Sequence, residues 1–174
     1  LPVQSASRNP SKFLLPAYSV ASGLYTLTAE VYSNFYNSKS SASKKILIPT
    51  NPILAAIRGG VEHLVRPNSE LVLDASDTRD DDMDWYALEA DETESVLRTY
   101  SYTWSCFQSL PEISSDCRLR MRTSDQSKPW LLTLESSSST ANTASIVQLT
   151  VSDEASGRSS DASVTVLGTN ADAA

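Results

Sequence analysis

The chain has 174 residues, 40% of them apolar, with a net charge of −7 and a pI near 4.6. That length holds one large or two small β-sandwich domains, and no apolar run approaches the ~20 residues a membrane helix needs. The acidity argues against nucleic acid and against an anionic bilayer as partners, because both are themselves negative. It is compatible with calcium and with solubility outside the cell.

The chain opens on Leu1-Pro2, and we expect a segment of a longer protein or a processed product. A short apolar run, Lys12 to Leu15, ends at Pro16, and Ser22-Gly23 reads as a turn. Tyr25, Leu27, Ala29 and Val31 then alternate with Thr26, Thr28 and Glu30, which is the period of a strand. The Ser/Asn-rich stretch Ser33 to Ser43 reads as a loop, and Ile46 and Ile48 mark another strand. These strands are too few for a sandwich, so residues 1–50 are expected to be the C-terminal part of a β-sandwich, or a partial domain that packs on another chain.

Asn51-Pro52 is a break. Beyond it come Ile53 to Ile57, the Gly59-Gly60 turn, Leu64-Val65, and a strand at Glu70 to Asp74. The acidic stretch Asp77 to Glu94 reads as a long, helix-poor connection. Tyr100, Tyr102, Trp104 and Cys106 alternate with Ser101, Thr103 and Ser105, a strand with one buried face that places Tyr102 and Trp104 in the core. Cys117, Leu119 and Met121 alternate with Arg118, Arg120 and Arg122, which makes a basic stripe. Strands at Trp130–Leu134, Val147–Val151 and Val164–Val166 follow, and residues 169–174 read as a linker. With seven strand candidates and no convincing helical period, residues 51–168 are expected to form a complete immunoglobulin- or fibronectin-like sandwich. The fold class is all-β, with sandwich modules in tandem.

The two cysteines have ten residues between them and strands around them. A Cys106–Cys117 disulfide is the expected state, and two free buried thiols are the alternative. Asp74, Asp77, Asp80, Asp81, Asp82 and Asp84 supply the hard oxygens calcium prefers, but their spacing is not that of an EF-hand. Solvated loop carboxylates, or Asp74 capping its own turn, are the plainer readings. His63 is the sole histidine, and no Gly-x-Ser-x-Gly elbow accompanies it, so no catalytic residue is assigned. Trp85, on the acidic connection, could anchor a partner or pin the loop to its own domain. Arg118, Arg120 and Arg122 could meet an acidic partner, or pair across strands as an ordinary exposed face.

In order and spacing, Asn51–Gly60, Leu71-Val-Leu-Asp-Ala-Ser76, the acidic cluster, Tyr102-x-Trp104-x-Cys106 and Cys117 resemble the receptor-for-egg-jelly (REJ) module. The ending Leu149–Asp153, Gly157–Ser160 and Ala162–Val166 resembles a PKD-type immunoglobulin-like repeat. Asp80-Asp-Asp82 departs from the Asp-Pro turn usual after the Leu-Asp-Ala-Ser motif. The resemblance implies a non-catalytic ectodomain of the polycystin or sperm-receptor kind, on a cell surface such as that of a cilium or flagellum. It also implies extracellular or membrane proteins as partners, adjacent repeats included. A repeat unit of an extracellular filament or matrix is the alternative, and a secreted hydrolase a remote one. No cofactor is expected, with calcium at the acidic loop the lesser alternative.

Overall fold

The computed structural model describes residues 5–84, 88–123 and 126–170. The chain divides into two units, Leu1–Asn51 and Pro52–Ala174.

The first unit is built on two strands, β1 (Gly23–Ser33) and β2 (Ser38–Ile48). They pair antiparallel without a slip, from Gly23 opposite Ile48 to Ser33 opposite Ser38. Residues 34–37 close the hairpin, with Asn37 at φ 43°, a conformation asparagine tolerates better than most residues. The loop expected at Ser33 to Ser43 is therefore corrected, because Ser38–Ser43 are strand. Serine composition misleads here. Both faces of β2 are largely open, so no burial period marks it, and its hydroxyls suit an exposed ladder, as in the 2.9 Å Thr28–Ser43 bond. Tyr25, Leu27, Ile46 and Ile48 line one groove with Phe13, Leu15 and Val20.

The second unit runs β3 (Ile53–Leu54), β4 (Glu62–Val65), β5 (Glu70–Asp74), β6 (Arg79–Asp80), α1 (Ala90–Leu97), β7 (Ser101–Leu110), β8 (Arg120–Arg122), β9 (Leu131–Glu135), β10 (Ala144–Asp153) and β11 (Arg158–Gly168). One sheet has the order β4-β11-β10-β7, with β4 parallel to β11 and the remaining pairs antiparallel. The other is β5-β9-β8, and β3 pairs with β6 at one margin. The molecule is thus all-β, with one short α-helix and a single 3-10 turn, Ser138–Thr140, among the described residues.

The core lies between the two sheets. Val147 and Leu149 on β10 face in beside Val164 and Val166 on β11. From the opposing sheet come Leu73, Leu132 and Leu134. Each such side chain contributes about 1.5–3 kcal/mol by leaving water. Register carries the alternation across the sheet, since Val151, Leu149 and Val147 sit opposite Tyr102, Trp104 and Cys106. Trp104 is half-buried and touches both halves of the core. Tyr102 is also half-buried, with its ring 6.4 Å from that of Trp130. At the chain's exit Gly168 lies on the Thr140 carbonyl, where a Cβ would sit 1.8 Å from the oxygen.

Helix α1 begins inside the acidic stretch expected to be a helix-poor connection, and corrects the reading that no segment is helical. Eight residues are too few to show a period, but a start signal is legible. The Glu92 carboxylate accepts the Glu89 N–H at 3.0 Å, closing the N-terminus in the manner of a capping box. Arg98 pairs with Glu94 at 2.8 Å, and buried Leu97 fastens the helix to the core.

Candidate functional site

A dense polar constellation gathers where β6, the β10–β11 turn and the start of β7 meet. Asp153 ends β10 and organises the turn. Its carboxylate accepts the Ala155 N–H at 3.0 Å and the Ser156 hydroxyl at 2.6 Å, and Gly157 bonds its carbonyl at 2.8 Å. Gly157 has φ 69°, which lets β11 depart antiparallel to β10. The first residue of β11, Arg158, reaches back across this turn.

Its guanidinium holds Asp80 with two bonds, Nη2 to Oδ2 at 2.5 Å and Nη1 to Oδ1 at 3.0 Å. It also reaches Asp82 at 3.2 Å and Asp153 at 3.5 Å, and Nε donates to Ser156 at 2.8 Å. Asp80 is only 4% exposed. A buried carboxylate needs such a partner, and the planar fork of arginine matches it in two places at once. The Asp80 bonds hold the Arg158 pKa above its usual range against the opposing effect of burial. Asp153 is pushed below the ordinary carboxylate value, first by the Ser156 hydroxyl. The buried phenol of Tyr100 is pushed up to about 12, mainly by burial and then by the charges of Asp80 and Asp153. Burial likewise raises Tyr102.

The six aspartates singled out in the sequence are therefore divided. Arg58 takes Asp77 at 2.7 Å and Asp74 at 3.2 Å, Arg79 takes Asp81 at 3.4 Å, and Arg158 takes Asp80 and Asp82. Asp74 also caps its own turn through the Ser76 N–H at 2.8 Å. Asp84 is exposed. Among the described residues no group of three or more histidine, cysteine or acidic side chains is arranged to hold a metal ion. Sequence reading missed Arg158 as the hub, since nothing in Gly157-Arg-Ser marks a residue whose partners lie 5 and 78 positions away.

Cys106 and Cys117 are joined in a disulfide, with Cα atoms 5.5 Å apart. It fastens β7 to the approach to β8. Arg120 and Arg122 both address Glu135 on β9, Arg120 at 3.9 Å and Arg122 through a direct hydrogen bond. Arg118 donates to the Gln108 side chain at 3.3 Å. His63 is half-buried against Gly59, and among the described residues its buried Nε2 has no hydrogen-bond partner. Trp85 lies outside the described residues.

The REJ domain family model matches residues 3–172 of the chain. No curated protein matches it. Among solved structures, a nucleoside hydrolase-related hypothetical protein from Saccharophagus degradans, associated with carbohydrate metabolism, aligns with TM-score 0.49 and 15% identity, over 70% of this chain and 26% of that one. An endo-fucoidan hydrolase of glycoside hydrolase family 107 aligns with TM-score 0.37 and 14% identity, over 90% and 20%. An I-band fragment of titin aligns with TM-score 0.33 and 11% identity, over 91% and 44%. The chain spans about a quarter of the length of the first of these proteins.

Proposed function

The chain belongs to the REJ domain family, and from that premise we propose that it is an extracellular segment of a polycystin-like cell-surface protein, built for contact with other proteins rather than for catalysis. Its place is the surface of a cilium or flagellum, and its partners are other extracellular or membrane proteins, adjacent repeats among them. The C-terminal sandwich is an immunoglobulin-like unit of the PKD type.

The observation that carries this reading is the family match over nearly the whole chain. The Cys106–Cys117 bridge supports it, because structural disulfides persist in oxidising surroundings. So does the use of the polar residues. The arginines and aspartates of the sandwich hold turns and strands to one another, which favours a rigid spacer that presents its edges and loops. An antibody against residues 1–174, applied to ciliated or flagellated cells without permeabilisation, tests the proposal. Staining of the ciliary or flagellar membrane is expected. Signal that appears only after permeabilisation would overturn it.

A further inference from the structure

The β1–β2 hairpin repeats the plan of the β10–β11 hairpin. Leu27 opposite Lys44 answers to Val147 opposite Val164, and the match runs without a slip to the turn, where Ser33 opposite Ser38 answers to Asp153 opposite Arg158. Residues 34–37 and 154–157 close the two turns, each with a left-handed last residue, Asn37 at φ 43° and Gly157 at φ 69°. The return strands carry Ser40-Ser-Ala-Ser43 and Ser160-Asp-Ala-Ser163 at matching places. Leu27, Ala29, Val31 and Ile46 therefore stand where Val147, Leu149, Val151 and Val166 stand in the second unit.

The two sets differ in what covers them. Val147, Leu149, Val151 and Val166 are buried, whereas Val31 is 67% exposed and Ile46 39%. In the second unit the cover has two parts. Strand β7 lies along the outer edge of β10, with Tyr102, Trp104 and Cys106 opposite Val151, Leu149 and Val147. The facing sheet then brings Leu73, Leu132 and Leu134. Among the described residues β1 has no strand neighbour except β2, so its outer edge presents backbone N–H and C=O groups as a template for another strand. Phe13, Leu15 and Val20 share a groove with Tyr25, Leu27, Ile46 and Ile48, and Ala29 and Val31 lie outside it. A two-stranded ribbon is marginal in water until a third strand or a packed face supports it.

We propose that the β1–β2 hairpin is half of a sandwich, and that an adjacent repeat of the same ectodomain supplies the other half. The occupant is an antiparallel strand on the outer edge of β1, with large apolar side chains opposite Val31, Ala29 and Leu27. Behind it a second sheet turns aliphatic side chains onto the face that holds Leu27, Val31 and Ile46. This chemistry is that of β7 and of the β5-β9 pair, carried across from the equivalent hairpin. Lys44 takes the place of Val164, so the covering half leaves its ammonium a path to water while the stem packs. The proposal rests on the contact reading above and names which of its partners covers the hairpin.

Hydrogen–deuterium exchange read by mass spectrometry tests it, comparing the 174-residue chain with the whole ectodomain secreted as one polypeptide and isolated as a monomer. The amides of residues 25–31 are expected to exchange about a hundredfold more slowly in the ectodomain, while those of β10 and β11 exchange alike in both. Val31 and Tyr32 are neighbours of similar exposure, 67% and 63%, on opposite faces of β1. In the ectodomain Val31→Asp removes the protection and Tyr32→Asp leaves it in place. Val31→Ala, a milder change for use where the aspartate blocks secretion, reduces the protection about tenfold. Equal rates in the two proteins would overturn the proposal, because the adjacent repeats would then leave the hairpin uncovered. Protection in the 174-residue chain that grows with its concentration would overturn it in favour of a second copy. Equal effects of substitution at Val31 and Tyr32 would overturn the assigned face. The antibody reads surface exposure independently, so failure of this proposal and failure of the cell-surface reading are distinguishable.

Discussion

Replacing Arg158 with alanine removes a residue that touches Asp80, Asp82 and Asp153 together. The Arg158 side chain is 20% exposed and that of Asp80 6%, so the substitution leaves a buried carboxylate without its bidentate partner. Breaking a buried pair from one side costs about 3–5 kcal/mol, and we take the lower end, ~3 kcal/mol, because Arg158 retains some water contact. For a unit of this size each kcal/mol moves the melting temperature by ~4 °C, so a fall of about 12 °C is expected. All three tryptophans lie beyond residue 52, so intrinsic tryptophan fluorescence during urea or thermal unfolding reports on the sandwich unit alone. Asp80→Asn in the Arg158→Ala background should recover part of the loss by removing the buried charge, while the Asp82 N–H bond at 2.9 Å can persist. A loss under about 1 kcal/mol, the range of an exposed pair, would refute the claim that this cluster locks the turn to β6.

Gly168→Ala drives a Cβ into the Thr140 carbonyl, and a loss of about 1–3 kcal/mol is expected in the same assay. Tyr100 keeps its proton in the folded state up to about pH 12, so the stability it contributes is full below its ordinary value near 10 and is lost as pH rises through 12. Tyr100→Phe should flatten that alkaline limb in a pH series of melts. Asp153 works in the opposite sense, giving stability above its ordinary value of 3.8 that is lost as pH falls through its lowered pKa, and Asp153→Asn should remove that part of the acid limb. With Arg58, Arg79 and Arg158 engaging five of the six aspartates, millimolar calcium is expected to leave the melting temperature unchanged. A rise of several degrees would show the ion binding in spite of them.

What the sequence reveals and what it conceals divide along physical lines. Val147–Val151, Val164–Val166 and Tyr102–Cys106 are legible because each buries one face of a strand, and burial imposes a two-residue period. The six residues Ser38–Ser43 conceal their strand because neither face is buried, and exposure leaves composition as the sole signal. Helix α1 is hidden by brevity, with only the Glu89–Glu92 spacing to announce it. The aspartates are visible as a cluster, but which cation each would face is not. Arg158 comes to Asp80 only because β6 lies near the β10–β11 turn, and that proximity is a property of the folded topology. The Cys106–Cys117 pairing is legible because two cysteines leave one intramolecular choice, and closing so short a loop is worth ~3 kcal/mol on the chain-entropy account.

A sandwich stapled for life outside the cell is the claim on which the functional reading depends. Peptide mapping by mass spectrometry, on protein recovered from its native surface and alkylated before any reductant, tests it most directly. The account predicts one cross-linked peptide pair carrying Cys106 and Cys117, with neither thiol alkylated. Recovery of both cysteines as alkylated thiols would contradict it.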